Sequence, residues 1–320
     1  MERLKKNLVL ALGLGVAVYL VLAVLSGLED LSSALSNFRL SLVPVIFGLV
    51  TLSYVVRFVR WSYYLRLLKA TMPMRPNVAI FAAGLSMTIS PGKLGEVVKS
   101  IFIRQVNGAP IARTAPAVVA ERATDGTGMI VWGLMGALAF SFGFEVLLLF
   151  LAIAVAGIAV LRSKRLSLLA EKALLKLPFL NRLASHMGDF HGASNELLAT
   201  RPLTLGTLIS FCSWGLEILA VYLCVVGIGA EVPFLAVVFI FVVGSFAGAF
   251  SMLPGGIGAA EAGLAGGFST FAGLAGGLSI ALTFVIRIAT LWFATLIGVV
   301  GLLVVRRVVG EPTDSDAPEP

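Results

Sequence analysis

Two short Pro-Gly segments in this 320-residue chain are candidates for binding chemistry. Residues 86–95 read SMTISPGKLG and residues 249–258 read AFSMLPGGIG. A proline inside an apolar stretch breaks a helix, and the helix that follows begins with unpaired N–H groups that suit an anion. The alternative is a kink that only adjusts packing. The candidate residues of these predicted anion-binding turns are Gly92, Lys93, Gly95, Gly255, Gly256 and Gly258.

Several ionisable residues lie in or beside apolar sequence, where charge is costly and usually functional. The segment 120–128, AERATDGTG, places Glu121, Arg122 and Asp125 at or just inside the start of a predicted span. Glu121 and Asp125 share a helix face at a spacing of four, whereas Arg122 lies on a different face and needs a partner elsewhere. Arg287, in FVIRIAT, needs a carboxylate or an anionic ligand. The alternative for the whole set is internal ion pairing that fixes helix packing.

The segment after the first Pro-Gly turn, residues 93–105, is amphipathic, with Lys93, Glu96 and Lys99 on one face. It is predicted to be an interfacial helix with snorkelling lysines or the cationic wall of a headgroup site, and the two interpretations are compatible.

Other charged residues belong to the predicted helices themselves. Arg57 and Arg60 are predicted to lie with Trp61 at the cytoplasmic end of their span, and Glu217 is the only acid in its own.

Residue types that usually carry catalysis or metal binding form no recognisable motif. His186 and His191 have the wrong spacing for a helical metal site and are predicted to be surface residues. Cys212 and Cys224 are about 18 Å apart along one predicted helix, too far for a disulfide, and are predicted to be packing residues. No nucleophile elbow, phosphate-binding loop or dinucleotide fingerprint occurs. We therefore expect no enzyme activity, no metal and no cofactor.

The elements that must position these residues are membrane-spanning helices. The chain is 58% hydrophobic and 13% charged, with a mean hydropathy of +1.00, whereas soluble domains carry about 25% charged residues. These values exclude a disordered, collagenous or nucleic-acid-binding protein, despite a pI near 9.7. Full spans are predicted near 8–25, 42–62, 126–143, 145–161, 204–228, 233–253 and 278–305. Shorter interrupted stretches occupy 78–90 and 259–276.

The basic residues predict the orientation of these spans. With the N-terminus inside, the connections on the cytoplasmic side carry fifteen Lys and Arg, and those on the opposite side carry only Arg39. This asymmetry predicts cytoplasmic N- and C-termini in a cell (plasma) membrane, where the net charge of +7 faces an anionic leaflet.

The two halves of the chain form an internal repeat. The Pro-Gly segments align over Pro-Gly-x-(Leu/Ile)-Gly at an offset of 163 residues. With two extra residues in the second copy, Glu96 aligns with Glu261 and Arg122 with Arg287. Corresponding spans run in opposite directions, so the repeat is inverted. Inverted repeats with interrupted helices are typical of transporters whose site lies at the repeat interface.

These observations predict the fold class, an all-α polytopic integral membrane protein. A single transmembrane domain covers 1–309 and contains inverted repeats over about 8–143 and 145–305, each with a Pro-Gly broken or re-entrant helical element. A cytoplasmic loop spans 162–203, and 310–320 is a disordered acidic tail.

The order SMTISPGKLGEVVKS, AERATD and SMLPGGIGAAE followed by an arginine resembles the flippase-like family named after the transmembrane region of lysylphosphatidylglycerol synthases. The resemblance covers residues from about 8 to 307, and the chain resembles a stand-alone member without a soluble synthase domain. It implies re-entrant hairpins and movement of a charged-headgroup lipid between leaflets. That lipid is a phospholipid, aminoacylated or not, or a polyprenyl-phosphate-linked lipid.

The partners expected from this resemblance are membrane lipids with anionic phosphate headgroups, without nucleic acid, and a homo-oligomer is compatible with it. Two alternatives remain open. One is an intramembrane lipid-modifying enzyme with Glu96, Asp125 or Glu261 as acid or base. The other is a non-transporting partner of such an enzyme.

Overall fold

The described residues of the chain fold entirely into helices and their connections. The computed structural model describes residues 36–90, 95–140, 144–163, 165 and 187–309. The predicted first helix at 8–25, the turn residues Pro91, Gly92 and Lys93, most of the loop at 162–203 and the tail at 310–320 lie outside these ranges.

The first half contains five described helices. Prolines start several of them, since Pro44 occupies the first turn of one and Pro73 and Pro110 are the N-caps of two others. Gly108, with a φ of 74°, ends another in the left-handed conformation. The helices are α1 (Val43–Leu67), α2 (Met74–Ser86), α3 (Val98–Asn107), α4 (Ile111–Ala137) and α5 (Phe144–Arg162). A 3₁₀ turn, Met87–Ile89, continues α2 toward the first Pro-Gly segment.

The second half contains six described helices. They are α6 (Met187–Leu197), α7 (Thr200–Gly227), α8 (Phe234–Phe250), α9 (Ala259–Ala272), α10 (Gly276–Arg287) and α11 (Phe293–Val309). The 3₁₀ turn Pro254–Gly256 joins α8 to α9, and a π-helical turn, Ile288–Trp292, joins α10 to α11. A π-turn inserted in a helix is often found at functional sites.

The helices of the two halves pack against each other. The main contacts join α1 with α7, α2 with α11 and α4 with α8. Glycines permit the closest of these approaches. A Cβ at Gly298 would lie 1.9 Å from the backbone nitrogen of Ser86, and one at Gly136 would lie 2.6 Å from that of Phe239.

Within the described residues, three helical segments are long and apolar enough to span a membrane: Leu40–Leu67, Thr200–Gly227 and Gly276–Val308. Their outer faces expose large apolar side chains, such as Val59 and Leu296. The prediction of an α-helical membrane protein is therefore confirmed.

The structure corrects two details of the sequence analysis and adds a third. Helix α4 begins at Ile111 rather than near 126, so Glu121, Arg122 and Asp125 lie in the middle of a 27-residue helix. Arg60 and Trp61 are buried inside the protein. Cys224 is buried as expected, but Cys212 is exposed and does not pack inside the described chain.

Candidate functional site

A cavity of about 390 Å³ lies between the two halves. Helices α1, α4, α7, α8 and α10 and the Pro254–Gly256 turn all contribute to its wall. Three arginines and two acids line it: Arg57, Arg122, Arg287, Asp125 and Glu217. The remainder is largely apolar, and the volume falls in the range of small-ligand sites.

The second Pro-Gly turn borders this cavity and requires glycine. Gly255, Gly256 and Gly258 have φ values of 63°, 65° and 93°, in the left-handed region that other residues rarely adopt. A Cβ at Gly256 would also lie 2.8 Å from the Cα of Gly248. The backbone of the turn is therefore packed directly against the backbone of α8.

Glu261 and Arg287 form an ion pair beside this turn. Arg287 Nε donates to Glu261 Oε1 at 2.7 Å, and Arg287 Nη2 donates to the carbonyl oxygen of Gly255 at 2.8 Å. Glu261 Oε2 accepts the N–H of Gly258 at 2.7 Å, which caps α9. The carboxylate that the sequence required for Arg287 is therefore Glu261. Part of the predicted anion-binding N-terminus is occupied by the protein's own side chain.

The first half contains the equivalent pair, Glu96 and Arg122, with the same separation of 26 residues as Glu261 and Arg287. Arg122 Nη2 lies 3.4 Å from Glu96 Oε2 and 3.1 Å from Asp125 Oδ2. Gly95, just before Glu96, donates its N–H to Ser90 Oγ at 2.9 Å. The glutamates and arginines that align in the sequence repeat thus form matching pairs in space.

Behind Arg122 lies a buried cluster of charges. Arg60 Nη1 donates to Asp125 Oδ1 at 2.6 Å, and Lys99 Nζ donates to Glu121 Oε2 at 2.6 Å. Lys99 Nζ also lies 4.3 Å from the centroid of a Trp61 ring. Lys99 is only 3% exposed, so the snorkelling interpretation is wrong for this residue.

Arg57 and Glu217 form another charged part of the cavity wall. Arg57 donates to Glu217 Oε2 at 2.5 Å and to Ser213 Oγ at 2.7 Å. Its guanidinium carbon lies 4.4 Å from the centroid of a Trp214 ring. This group, which joins α1 to α7, was not among the predicted site residues.

The structure brings together most, but not all, of the predicted site. Arg122, Asp125, Gly255, Gly256 and Arg287 line the cavity. The remaining described candidates do not line the cavity: Gly95, Glu96, Glu121, Gly258 and Glu261. Gly92 and Lys93 lie outside the described residues.

The approaches to the two Pro-Gly turns meet beside the cavity. Ile89, which ends the 3₁₀ turn after α2, packs in one small apolar cluster with Ile257 and Leu291. The described flank of the first turn is therefore in contact with the flank of the second.

The fold and the cavity define a polytopic α-helical membrane protein with a charged cavity between its halves. Residues 10–298 match the model of the family described as the lysylphosphatidylglycerol synthase TM region. The chain belongs to this family of membrane proteins, which is linked to lipid handling.

Two archaeal relatives cover most of the chain. A UPF0104 membrane protein of Methanothermobacter thermautotrophicus is 28% identical over 271 residues, which cover 77% of this chain and 78% of the relative. A UPF0104 membrane protein of Pyrococcus horikoshii is 24% identical over an alignment of 332 residues, covering 95% of this chain and 97% of the relative.

Proposed function

We propose that this protein moves a lipid with an anionic phosphate headgroup between membrane leaflets. The observation that carries the proposal is the cavity with three arginines, Arg57, Arg122 and Arg287, enclosed by apolar helices. A lipid can leave its tails in the hydrocarbon, but its charged headgroup needs a polar route, because isolated charges are costly at membrane depth.

The rim of the cavity supports entry from the side. Ile153, Phe250 and Leu253 line the cavity, and each is more than 40% exposed at the surface. Large exposed apolar residues are stable there only against hydrocarbon or a partner. A headgroup could therefore enter the cavity while its tails stay against these residues.

The two halves act in this proposal as inverted repeats. Exchanging α1 with α7, α2 with α8, α3 with α9, and α4 with the α10–α11 segment maps the α1–α7 contact onto itself and two further contacts onto observed ones. The α2–α11 contact becomes α8–α4, and α2–α3 becomes α8–α9.

Two glycines follow the same exchange. Gly136 and Gly301 each lie 14 residues after the arginine of their own half. Gly136 approaches the backbone of α8, and Gly301 approaches that of α2. Close approach at matched positions supports a common structural unit in the two halves.

The charges of the site would exchange partners during transport. In the absence of lipid, Glu96, Asp125 and Glu261 neutralise Arg122 and Arg287. A phosphate could replace these acids as the partner of each arginine. An arginine left without a partner would cost several kcal/mol, and this exchange avoids that cost. At the second turn the phosphate would contact Arg287 or displace Glu261 from the N–H of Gly258.

The test is lipid translocation in proteoliposomes with head-labelled phosphatidylglycerol, or with a labelled polyprenyl phosphate, as the probe. We expect Arg122→Ala and Arg287→Ala to lower the rate by about tenfold or more, because each removes a cation that would compensate the phosphate at membrane depth. Arg307→Ala, on the exposed end of α11, is the control and should keep the unmodified rate.

Every variant is first checked for monodispersity in detergent. If both alanine variants are monodisperse and move lipid at the unmodified rate, the arginines are packing ions and the proposed route is wrong. Mass spectrometry of the same lipids separates the alternatives. Chemical conversion would indicate a lipid-modifying enzyme, and neither movement nor conversion would indicate a non-transporting partner.

The membrane location, the orientation and the partners of the protein belong to the same proposal. We place the protein in the plasma membrane with both termini in the cytoplasm, as the basic residues predict. The proposed partners are anionic lipids rather than nucleic acid, and size-exclusion chromatography with light scattering would measure whether copies assemble.

A further inference from the structure

The two Glu–Arg pairs are the same in sequence but differ in geometry. In the second pair, Arg287 Nε lies 2.7 Å from Glu261, and its side chain is 12% exposed. In the first pair, Arg122 lies 3.4 Å from Glu96, and its side chain is 32% exposed. Arg287 also bonds the Gly255 carbonyl oxygen, whereas Arg122 divides its contacts between Glu96 and Asp125.

The two Glu–Arg pairs lie beside the cavity, where opening or closing a pair would change access to it. Both arginines line the cavity, and each glutamate stands at or before the start of the helix that follows a Pro-Gly turn. Closing a pair therefore ties that helix to α4 or to α10. The second pair is closed in this structure, and the first is more open.

We propose that the two pairs close alternately, and that the headgroup phosphate contacts Arg122 in the state described here and Arg287 in the opposite state. The proposal rests on the proposed function and on the inverted repeat. Two halves of equivalent construction that hold unequal conformations can exchange them, and this exchange moves access from one side of the membrane to the other. Arg122 and Arg287 are then successive binding positions for one phosphate.

The two states need contacts that differ between them, and the glutamates supply these contacts. When phosphate binds Arg122, Glu96 keeps only Lys99 Nζ, 3.5 Å from its Oε2, as a cation. When Glu261 releases Arg287, a second position for the phosphate becomes open. Glu96→Gln and Glu261→Gln keep the side-chain volume but remove the charge, so each should favour the open form of its own half.

The experiment measures the access of a cavity residue from each side. Both native cysteines are replaced, and Ser245→Cys, on the cavity wall, serves as reporter. Proteoliposomes of fixed orientation are treated with an impermeant thiol reagent, applied either outside or inside. We expect Glu96→Gln and Glu261→Gln to change the ratio of outside to inside labelling in opposite directions, each by at least about fivefold.

Two sets of variants check the result. Arg122→Gln and Arg287→Gln break the same two pairs by removing the arginine instead of the glutamate. Arg122→Gln must change the labelling ratio in the same direction as Glu96→Gln, and Arg287→Gln in the same direction as Glu261→Gln. Glu196→Gln is the matched control, because Glu196 contacts Arg113 at 3.9 Å on an exposed surface. It should leave the ratio unchanged.

Shifts in the same direction, or no shift in either glutamine variant, would overturn the alternation of the pairs. Lipid translocation by the unmodified protein distinguishes this failure from that of the proposed function. Opposite shifts without lipid movement would support the alternation and reject the lipid. Lipid movement without opposite shifts would retain the proposed function and reject the alternation.

Discussion

The buried charges of the described chain each have a partner of opposite sign. Arg60, Lys99, Glu121 and Asp125 are all less than 5% exposed, and they form one connected cluster behind Arg122. Removing one member of such a cluster is far more costly than removing an exposed charge, since the partner stays buried without compensation.

The first prediction at this scale concerns Arg60. Arg60→Gln should lower the free energy of unfolding by about 3–5 kcal/mol, the usual cost of breaking a buried ion pair from one side. Thermal unfolding in detergent would show the loss as a lower Tm. Arg66→Gln is the control, because Arg66 lies on the same helix but is exposed. Equal Tm values for the two variants would contradict the structural role of Arg60.

The sequence alone predicted part of this residue-level pattern. A lone arginine in an apolar helix must find a carboxylate or a ligand, and Arg287 was recognised for that reason. Arg60 was predicted only to lie at the cytoplasmic end of its span, and its place in a buried ion-pair cluster was not predicted. The missed signal was a recurrence of polar residues every three or four positions in α1, namely Ser53, Arg57, Arg60 and Tyr64. Such spacing places them on one helix face.

At the scale of helices, contact between the two halves depends on glycines, which have no side chain. Gly298 and Gly301 on α11 approach the backbone of α2 closely. Small residues at such contacts allow helices in membranes to gain packing energy that the hydrophobic effect does not supply there.

Gly298→Ala tests this contact. An alanine normally stabilises a helix interior by about 0.5–1 kcal/mol relative to glycine. At Gly298 the opposite sign is expected, because the new Cβ would lie 1.9 Å from the nitrogen of Ser86 and would separate α11 from α2. The Tm in detergent should fall for Gly298→Ala. It should stay equal or rise for Gly266→Ala, whose Cβ would meet open space. A stabilised Gly298→Ala protein would contradict the close approach.

The sequence predicted the presence of the helices better than it predicted their first and last residues. The span assigned to 126–143 belongs to α4, which starts at Ile111 because Pro110 is its N-cap. Hydropathy missed this start because the charges of its middle region point into the protein rather than toward lipid. The π-turn Ile288–Trp292 follows Arg287 without any Gly or Pro. No local sequence signal therefore indicates this turn.

Across the whole molecule, the helix connections gather at two opposite ends. At one end, Arg39 N donates to the carbonyl oxygen of Gly227 at 2.9 Å, which joins the start of α1 to the end of α7. At the other, Asn107 contacts the carbonyl oxygen of Thr71, and Arg113 contacts Glu196 of α6. In the described residues, contacts therefore join helix connections to each other at each of these two ends.

The last prediction assigns these ends to the two sides of the membrane. In a variant without native cysteines, single cysteines at Asn37 and Glu231 should react with an impermeant reagent added outside intact cells. Cysteines at Thr71 and Asp189 should react only after permeabilisation. All four positions are exposed, so burial cannot explain a difference in reactivity. The expected orientation follows from fifteen basic residues on one side against one on the other. Labelling of all four cysteines from outside would contradict a membrane-spanning arrangement. Labelling of Thr71 and Asp189 alone would invert it and place Arg39 on the cytoplasmic side.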